Sequence, residues 1–250
     1  LSGHSKWHNI RLRKGKQDAE RGKLFTKLAR EIIVAARDGG GNPDTNVRLR
    51  LAVQKAREAS MPVDNIKRAI QRGTGEIEGA VYEEITYEGY APAGVAVLVQ
   101  CLTDNRNRTV AEVRNAFSKC GGSLGESGCV AWMFEQRGVV QVPADQSDED
   151  SVLAATLDAG AEDIMVEDEF IEVHTQPENL QAVRDALNNA GIPVAQADVT
   201  MVPKTTVRVE GAKEVSQILR LMDMLEDLDD VQNVYSNFDI PEELMQEAAA

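Results

Sequence analysis

Trp7 stands among Lys6, Arg11, Arg13, Lys14 and Lys16 in the run SKWHNIRLRKGK. An aromatic ring set among cations suits one chemistry, in which the ring stacks on a base while the cations displace counterions from phosphates. The alternative is a Trp7 packed on its own domain with the cations merely solvated. More cations follow in stretches of helical period: Arg21, Lys23 and Lys27, then Arg48 with Lys55 or Arg50 with Arg57, then Lys67, Arg68 and Arg72. Residues seven apart lie almost in line on a helix, so these read as basic stripes. Residues 1–75 hold 17 Lys+Arg against 7 Asp+Glu, and the rest of the chain holds 10 against 34. The formal charge of −14 over 250 residues therefore hides a cationic first third. Its expected partner is a polyanion, DNA or ribosomal or transfer RNA. The competing expectation is that the basic segment docks on the chain's own acidic remainder. Cations already neutralised by carboxylates of the same polypeptide would overturn the polyanion reading.

Catalytic chemistry finds no foothold. His4 and His8 are four apart but have no third ligand nearby, and His174 has no nucleophile beside it. Cys101, Cys120 and Cys129 show no CxxC spacing and read as buried thiols. Gly39-Gly40-Gly41 lacks the Lys-Ser/Thr pair of a phosphate loop and reads as a helix stop. The expectation is no catalytic residue, no metal and no cofactor. Two anion- or protein-binding candidates remain. Arg106 and Arg108 open a helix within Asp104-Asn105-Arg106-Asn107-Arg108-Thr109, where free N–H groups suit a phosphate. Alternatively Asp104 or Asn105 simply caps that helix. The acidic run Asp223, Glu226, Asp227, Asp229 and Asp230 has no calcium-loop spacing and opposes the macrodipole at a helix C-terminus. It reads as a solvated helix end or as a docking site for a basic protein.

The elements that must position these residues follow from hydrophobic period and turn signals. After an arm at 5–16, Leu24, Phe25, Leu28, Ile32 and Ala35 predict a helix over 17–38 stopped by the three glycines, and two more helices end near 60–62 and at Gly73. The segment 73–79 loses the period and changes sign of charge, which makes it a linker. Beyond it come a hairpin at 81–87 and 95–102, a helix after 109, and a strand at 129–134. A βαββαβ series then runs from 139 to 202, and a strand, a helix at 212–228 and a strand at 231–235 follow. The fold expected is α+β in three domains: a basic three-helix domain at 1–79 and two ferredoxin-like α/β sandwiches, an interrupted one at 80–136 plus 204–240 and another inserted in it at 137–203. No strand carries paired base-stacking aromatics of the kind found on RNA-binding sheets. No stretch has the length and apolarity of a membrane span.

Several uninterrupted runs carry a resemblance: Gly3-His4-Ser5-Lys6-Trp7, Gly22-Lys23-Leu24-Phe25-Thr26-Lys27, Tyr87-Glu88-Gly89-Tyr90, the hexapeptide 104–109, Phe117-Ser118-Lys119-Cys120-Gly121-Gly122 and Met224-Leu225-Glu226-Asp227 with Asp229-Asp230-Val231-Gln232. In this order they resemble the YebC family over almost the whole chain. The resemblance implies a helical N-terminal domain and two α/β domains, a cytoplasmic bacterial or mitochondrial setting, and a non-enzymatic, DNA-binding transcriptional regulator. The second reading it implies is a ribosome-associated translation factor, since mitochondrial and some bacterial relatives look like translation factors, the mitochondrial ones like translational activators of cytochrome c oxidase. A protein-interaction scaffold is the third expectation. Leu1-Ser2 stands where the family usually has Met-Ala, and Arg11-Leu12-Arg13 replaces a more basic stretch.

Overall fold

The computed structural model describes residues 17–167 and 169–249. Its first three elements are helices: α1 (Gln17–Gly39), α2 (Val47–Glu58) and α3 (Val63–Gly73). Their apolar stripes meet in one core, with Leu28, Ile32, Ile33 and Ala36 of α1 against Leu49, Val53 and Ala56 of α2 and Ile66 and Ala69 of α3. α1 stops as expected at the glycines, where Gly40 takes φ +85°, a conformation that costs a residue without Cβ little. Buried Asn46 then ties the helix ends together. Its Oδ1 accepts from Leu49 N–H at 3.0 Å, and its Nδ2 donates to the Ala35 and Gly40 carbonyls at 2.7 and 2.8 Å. α2 and α3 are joined by only four residues, 59–62, in which Ser60 takes φ 59°.

The second series is β1 (Glu83–Tyr90), β2 (Ala96–Thr103), α4 (Arg106–Lys119) and β3 (Ser123–Leu124). The third is β4 (Phe134–Pro143), α5 (Glu149–Thr156), β5 (Ala161–Val166), β6 (Phe170–Thr175), α6 (Leu180–Asn189) and β7 (Gln196–Pro203). The chain ends with β8 (Val207–Arg208), α7 (Ala212–Glu226), β9 (Val231–Ser236), β10 (Phe238–Asp239) and α8 (Glu242–Ala249). The third series forms an antiparallel sheet in the order β5-β6-β4-β7, the order expected of a ferredoxin-like βαββαβ unit. The other four-stranded sheet runs β3-β1-β2-β9, so strands from before and after the third series share it. That order is not ferredoxin-like. β1 and β2 form a direct hairpin and must stay neighbours, which leaves only the two outer edges for β3 and β9. β2 is buried almost throughout: Val97, Val99 and Cys101 face α4 and α7, while Ala96 and Leu98 face Val130 and Phe134. Its unbroken apolar run therefore marks a strand covered on both faces.

Two further expectations are corrected. The chain from 129 to 134 is not a strand but a 3-10 turn, Ala131–Met133, leading into β4. The backbone N–H groups of Gly128, Val130 and Ala131 are taken by the buried Glu88 carboxylate at 2.6, 2.7 and 2.7 Å, so they cannot enter a ladder. Burial by itself would raise the Glu88 carboxyl, but these three bonds lower it. Glu88→Ala is expected to destabilise by about 1–3 kcal/mol, the cost of a buried polar group left unpaired. Amide hydrogen exchange should show residues 128–131 losing protection, and unchanged exchange there would refute the role of Glu88. The second correction concerns the C-terminus, which does not leave the fold at 240: α8 follows and places Met245 in the core built by α4 and α7.

Candidate nucleic-acid interface

Much of the cationic charge is already spent. Lys23, Lys27 and Arg30 stand at i, i+4 and i+7 on α1, and all three reach the end of α7. Lys27 Nζ donates to the Glu226 carbonyl at 2.8 Å, and Lys23 Nζ to the Asp227 carbonyl and Oδ1 at 3.3 and 3.2 Å. Arg30 Nη1 donates to the carbonyls of Leu102 and Asp229 and to Asp230 Oδ1, the last at 2.7 Å. Its guanidinium also lies 5.1 Å from the Tyr82 ring centre. The last carbonyls of a helix lack intrahelical partners and carry the negative end of its dipole. Lysines from another element satisfy them and offset the acids that the sequence placed there against the dipole.

Asp230 is the centre of this contact and is 2% exposed. Besides Arg30, it accepts from Arg108 Nη2 at 2.7 Å, Thr109 Oγ1 at 2.6 Å and Thr103 Oγ1 at 3.2 Å. Burial pushes its carboxyl up, yet the bonds from Thr109 and Arg108 with the charge of Arg30 bring it below the usual carboxylate range. The run expected to dock a separate protein is thus largely an internal latch: Asp230 is inside, Asp227 pairs with Lys23, and Asp223 and Glu226 are engaged. Asp229 gives its carbonyl to Arg30 and leaves its side chain exposed. Arg108 is likewise no open anion site, because Nη2 bridges Asp104 and Asp230. The capping alternative describes this helix better, with Asn105 Oδ1 accepting from Arg108 N–H at 3.1 Å. Arg106 is exposed, 3.8 Å from Glu83.

On the helical unit Arg48 pairs with Glu84 and Asp38, and Lys55 meets Asp198 of β7 at 2.6 Å. Burial would lower the Lys55 ammonium, but Asp198 and nearby Glu31 and Glu58 raise it. Arg57, Lys67, Arg68 and Arg72 differ: all four are exposed and, among the described residues, none meets a carboxylate. Among the described residues Arg50 reaches only the Asp44 carbonyl, at 3.4 Å. On α3, Lys67, Arg68, Gln71 and Arg72 flank the side opposite Ile66 and Ala69. Lys6, Trp7, Arg11, Arg13, Lys14 and Lys16 lie outside the described residues, as does the side chain of Arg21. The described cationic surface is therefore the α2–α3 face, not α1. Sequence reading missed Arg30, although its place in line with Lys23 and Lys27 on the side away from Ile32 was available as a signal.

Among the described residues no group of three His, Cys, Asp or Glu is placed to hold a metal. The three cysteines are free, and burial, with help from Asp230, pushes the Cys101 thiol up to about 12. Burial raises the Cys120 and Cys129 thiols as well; Cys101 and Cys120 pack in the core, whereas Cys129, expected to be buried, is half-buried. No helix among the described residues is long and apolar enough to cross a membrane.

Fold and site together define a class: an α+β protein in which one α/β unit is inserted into another and a small cationic three-helix unit is latched to their acidic body. The chain belongs to the TACO1/YebC family. The description "TACO1/YebC protein N-terminal domain" matches residues 5–76, and "TACO1/YebC second and third domain" matches 82–238. A "Probable transcriptional regulatory protein" of Persephonella marina is 54% identical over 250 residues, covering all of both chains. One of Trichlorobacter lovleyi with the same description is 56% identical over 246 residues, 98% of this chain and 99% of that one. The crystal structure of a conserved hypothetical protein from Aquifex aeolicus superposes with a TM-score of 0.81 at 50% identity, covering 90% of this chain and 92% of that one.

Proposed function

We propose that the protein is a nucleic-acid-binding, non-catalytic regulator of gene expression that grips DNA through the α2–α3 face. The observation that carries this reading is the contrast within one small unit. Lys23, Lys27 and Arg30 of α1 are consumed by carbonyls and carboxylates of the body, whereas Arg57, Lys67, Arg68 and Arg72 are exposed and meet no carboxylate among the described residues. Leaving like charges unneutralised costs self-repulsion, which a polyanion relieves. The four-residue α2–α3 connection supports this reading, since three to four residues is the length that helix-turn-helix motifs use. α3 then takes the place of the helix that enters the major groove. Asn65 and Gln71 on its outer side are amides able to read an adenine edge, while the cations hold phosphates. The regulatory names of the relatives agree with this reading.

The test is anisotropy of a labelled DNA duplex and a labelled single-stranded RNA of equal length, titrated with the full chain at several salt concentrations. Affinity for the duplex should fall linearly on a log–log plot, with a slope of about −0.9 for each phosphate neutralised. A salt-independent affinity, or binding confined to the RNA, would refute the DNA reading.

A further inference from the structure

The helical unit and the α/β body are each complete without the other. The core of α1–α3 and the core built on the β3-β1-β2-β9 sheet have no residue in common. Leu102, whose carbonyl Arg30 reaches, and Val34, one turn beyond Arg30 on α1, are buried but belong to neither core. Tyr82, at the entry to β1, packs on the helical core beneath Arg30 and gives its carbonyl to Arg37. Elsewhere along the seam, among the described residues, the hydrogen bonds and ion pairs run from cations of the helical unit to oxygens of the body. Lys23, Lys27 and Arg30 hold the end of α7, Arg48 holds Glu84, and Lys55 holds Asp198. A seam held mainly by charge, with no shared apolar core, lets its two parts separate.

Opening it strands no charge. Asp230 keeps Arg108, Thr109 and Thr103, all of the body, when Arg30 leaves. Arg30 passes into water, a relief denied to a cation that loses its partner while still buried. Lys23 with Asp227 and Arg48 with Glu84 are exposed pairs, which salt weakens. The hinge is at hand as well. Residues 74–80 are exposed throughout and belong to no helix or strand, and these seven residues span about 25 Å when extended.

Docking sets acids beside the cationic face. Residues 76–250 hold 10 Lys+Arg against 34 Asp+Glu, and α2 touches this body through Lys55 and Arg48. A duplex held on the outer side of α2 therefore lies roughly one helix diameter, about 10–12 Å, from the acids on its inner side. Salt screens that repulsion only in part, since the Debye length is about 8 Å. We infer that docking is an autoinhibitory contact: latched to the body, the helical unit binds nucleic acid weakly, and a polyanion selects the form in which the unit has moved off on residues 74–80. The inference rests on the α2–α3 face being the grip, and Lys23 and Lys27 are latch residues with no part in that grip.

The test places a donor and an acceptor dye on the full chain through Asp44→Cys and Asp158→Cys in a Cys129→Ser background. Both positions are exposed, one on each side of the seam, and Cys101 and Cys120 are buried. Energy transfer should fall as NaCl is raised and as a DNA duplex is added. Lys23→Ala with Lys27→Ala removes two cations yet should bind the duplex about threefold or more tightly. Lys23→Cys with Asp227→Cys, joined by a short bis-maleimide, holds the seam shut and should bind about tenfold or more weakly than the same protein before joining. Should the alanine variant fail to fold, the joined protein decides, because it is its own control. Saturation by the duplex with transfer unchanged, undiminished binding after joining, or equal or weaker binding by the folded alanine variant would overturn the inference and leave the nucleic-acid reading intact. Transfer that falls with NaCl while no duplex binds, even to the unlatched variant, would overturn both.

Discussion

Asp230→Ala should destabilise the protein by about 3–5 kcal/mol, the range for removing one partner of a buried ion pair. The loss is large because one carboxylate serves donors from two separate parts of the chain. Arg30 of α1 and Arg108 of α4 both end on it, and Arg30 Nε is buried with no partner even in the intact protein. Without Asp230 the Arg30 guanidinium, 12% exposed, keeps only carbonyl acceptors and the Tyr82 ring. A urea titration followed by circular dichroism reads the loss, and a double-mutant cycle with Arg30→Met isolates the pair. If Asp230 acts through Arg30, the second substitution costs little once the first is made, giving a coupling of roughly 0.5–3 kcal/mol. Strict additivity would show the two residues to be independent.

The same carboxylate sets a pH dependence with a definite sign. Its folded value is lowered from that of an ordinary aspartate. It therefore contributes full stability above the unfolded value of about 4 and loses it as pH falls through the lower folded value. Asp230→Asn should flatten the stability curve below about pH 4 and leave its alkaline side unchanged. A variant whose acid limb kept the native steepness would assign that limb to other carboxylates.

How much of this was legible in the sequence depended on the kind of interaction. The three helices and the βαββαβ unit follow from periods of 3.6 and 2, and the glycine stop after α1 from local backbone chemistry. These signals are short in range, so the residues that carry them lie within one element. The run 129–134 misled because its apolar residues suit a strand, while the group that bends it, Glu88, lies 40 residues earlier in a strand of its own. The acidic run near 226–230 misled for the same reason. The five carboxylates between 223 and 230 read as a solvated helix end or a docking site because nothing nearby in sequence neutralises them, and the α1 partners of this helix end lie about 200 residues away. The sequence did display the anomaly, acids at the wrong end of a helix dipole, and a helix end that breaks a local rule points to a long-range partner. Arg30 could have been paired with it on charge grounds alone.

The second large effect separates the cations that hold the fold from those free to hold phosphate. Replacing Arg57, Lys67, Arg68 and Arg72 together by alanine should make the log–log salt slope of DNA binding shallower by about 3–4, at roughly 0.9 for each phosphate no longer neutralised. Stability should hardly change, because all four side chains are exposed and bond no carboxylate among the described residues. Lys23→Ala with Lys27→Ala should do the reverse. It strips donors from the last carbonyls of α7 and loosens the helical unit from the body, while the salt slope stays near native because those ammonium groups are already occupied. If the α1 pair alone carried the slope, nucleic acid would have to displace the α7 end to reach it, and the α2–α3 face would lose its assignment. A salt slope and an unfolding curve for each of four proteins (native, the quadruple variant, the α1 double variant and their combination) decide between these arrangements, since additivity of the slopes is expected only when the two sets of cations do different work.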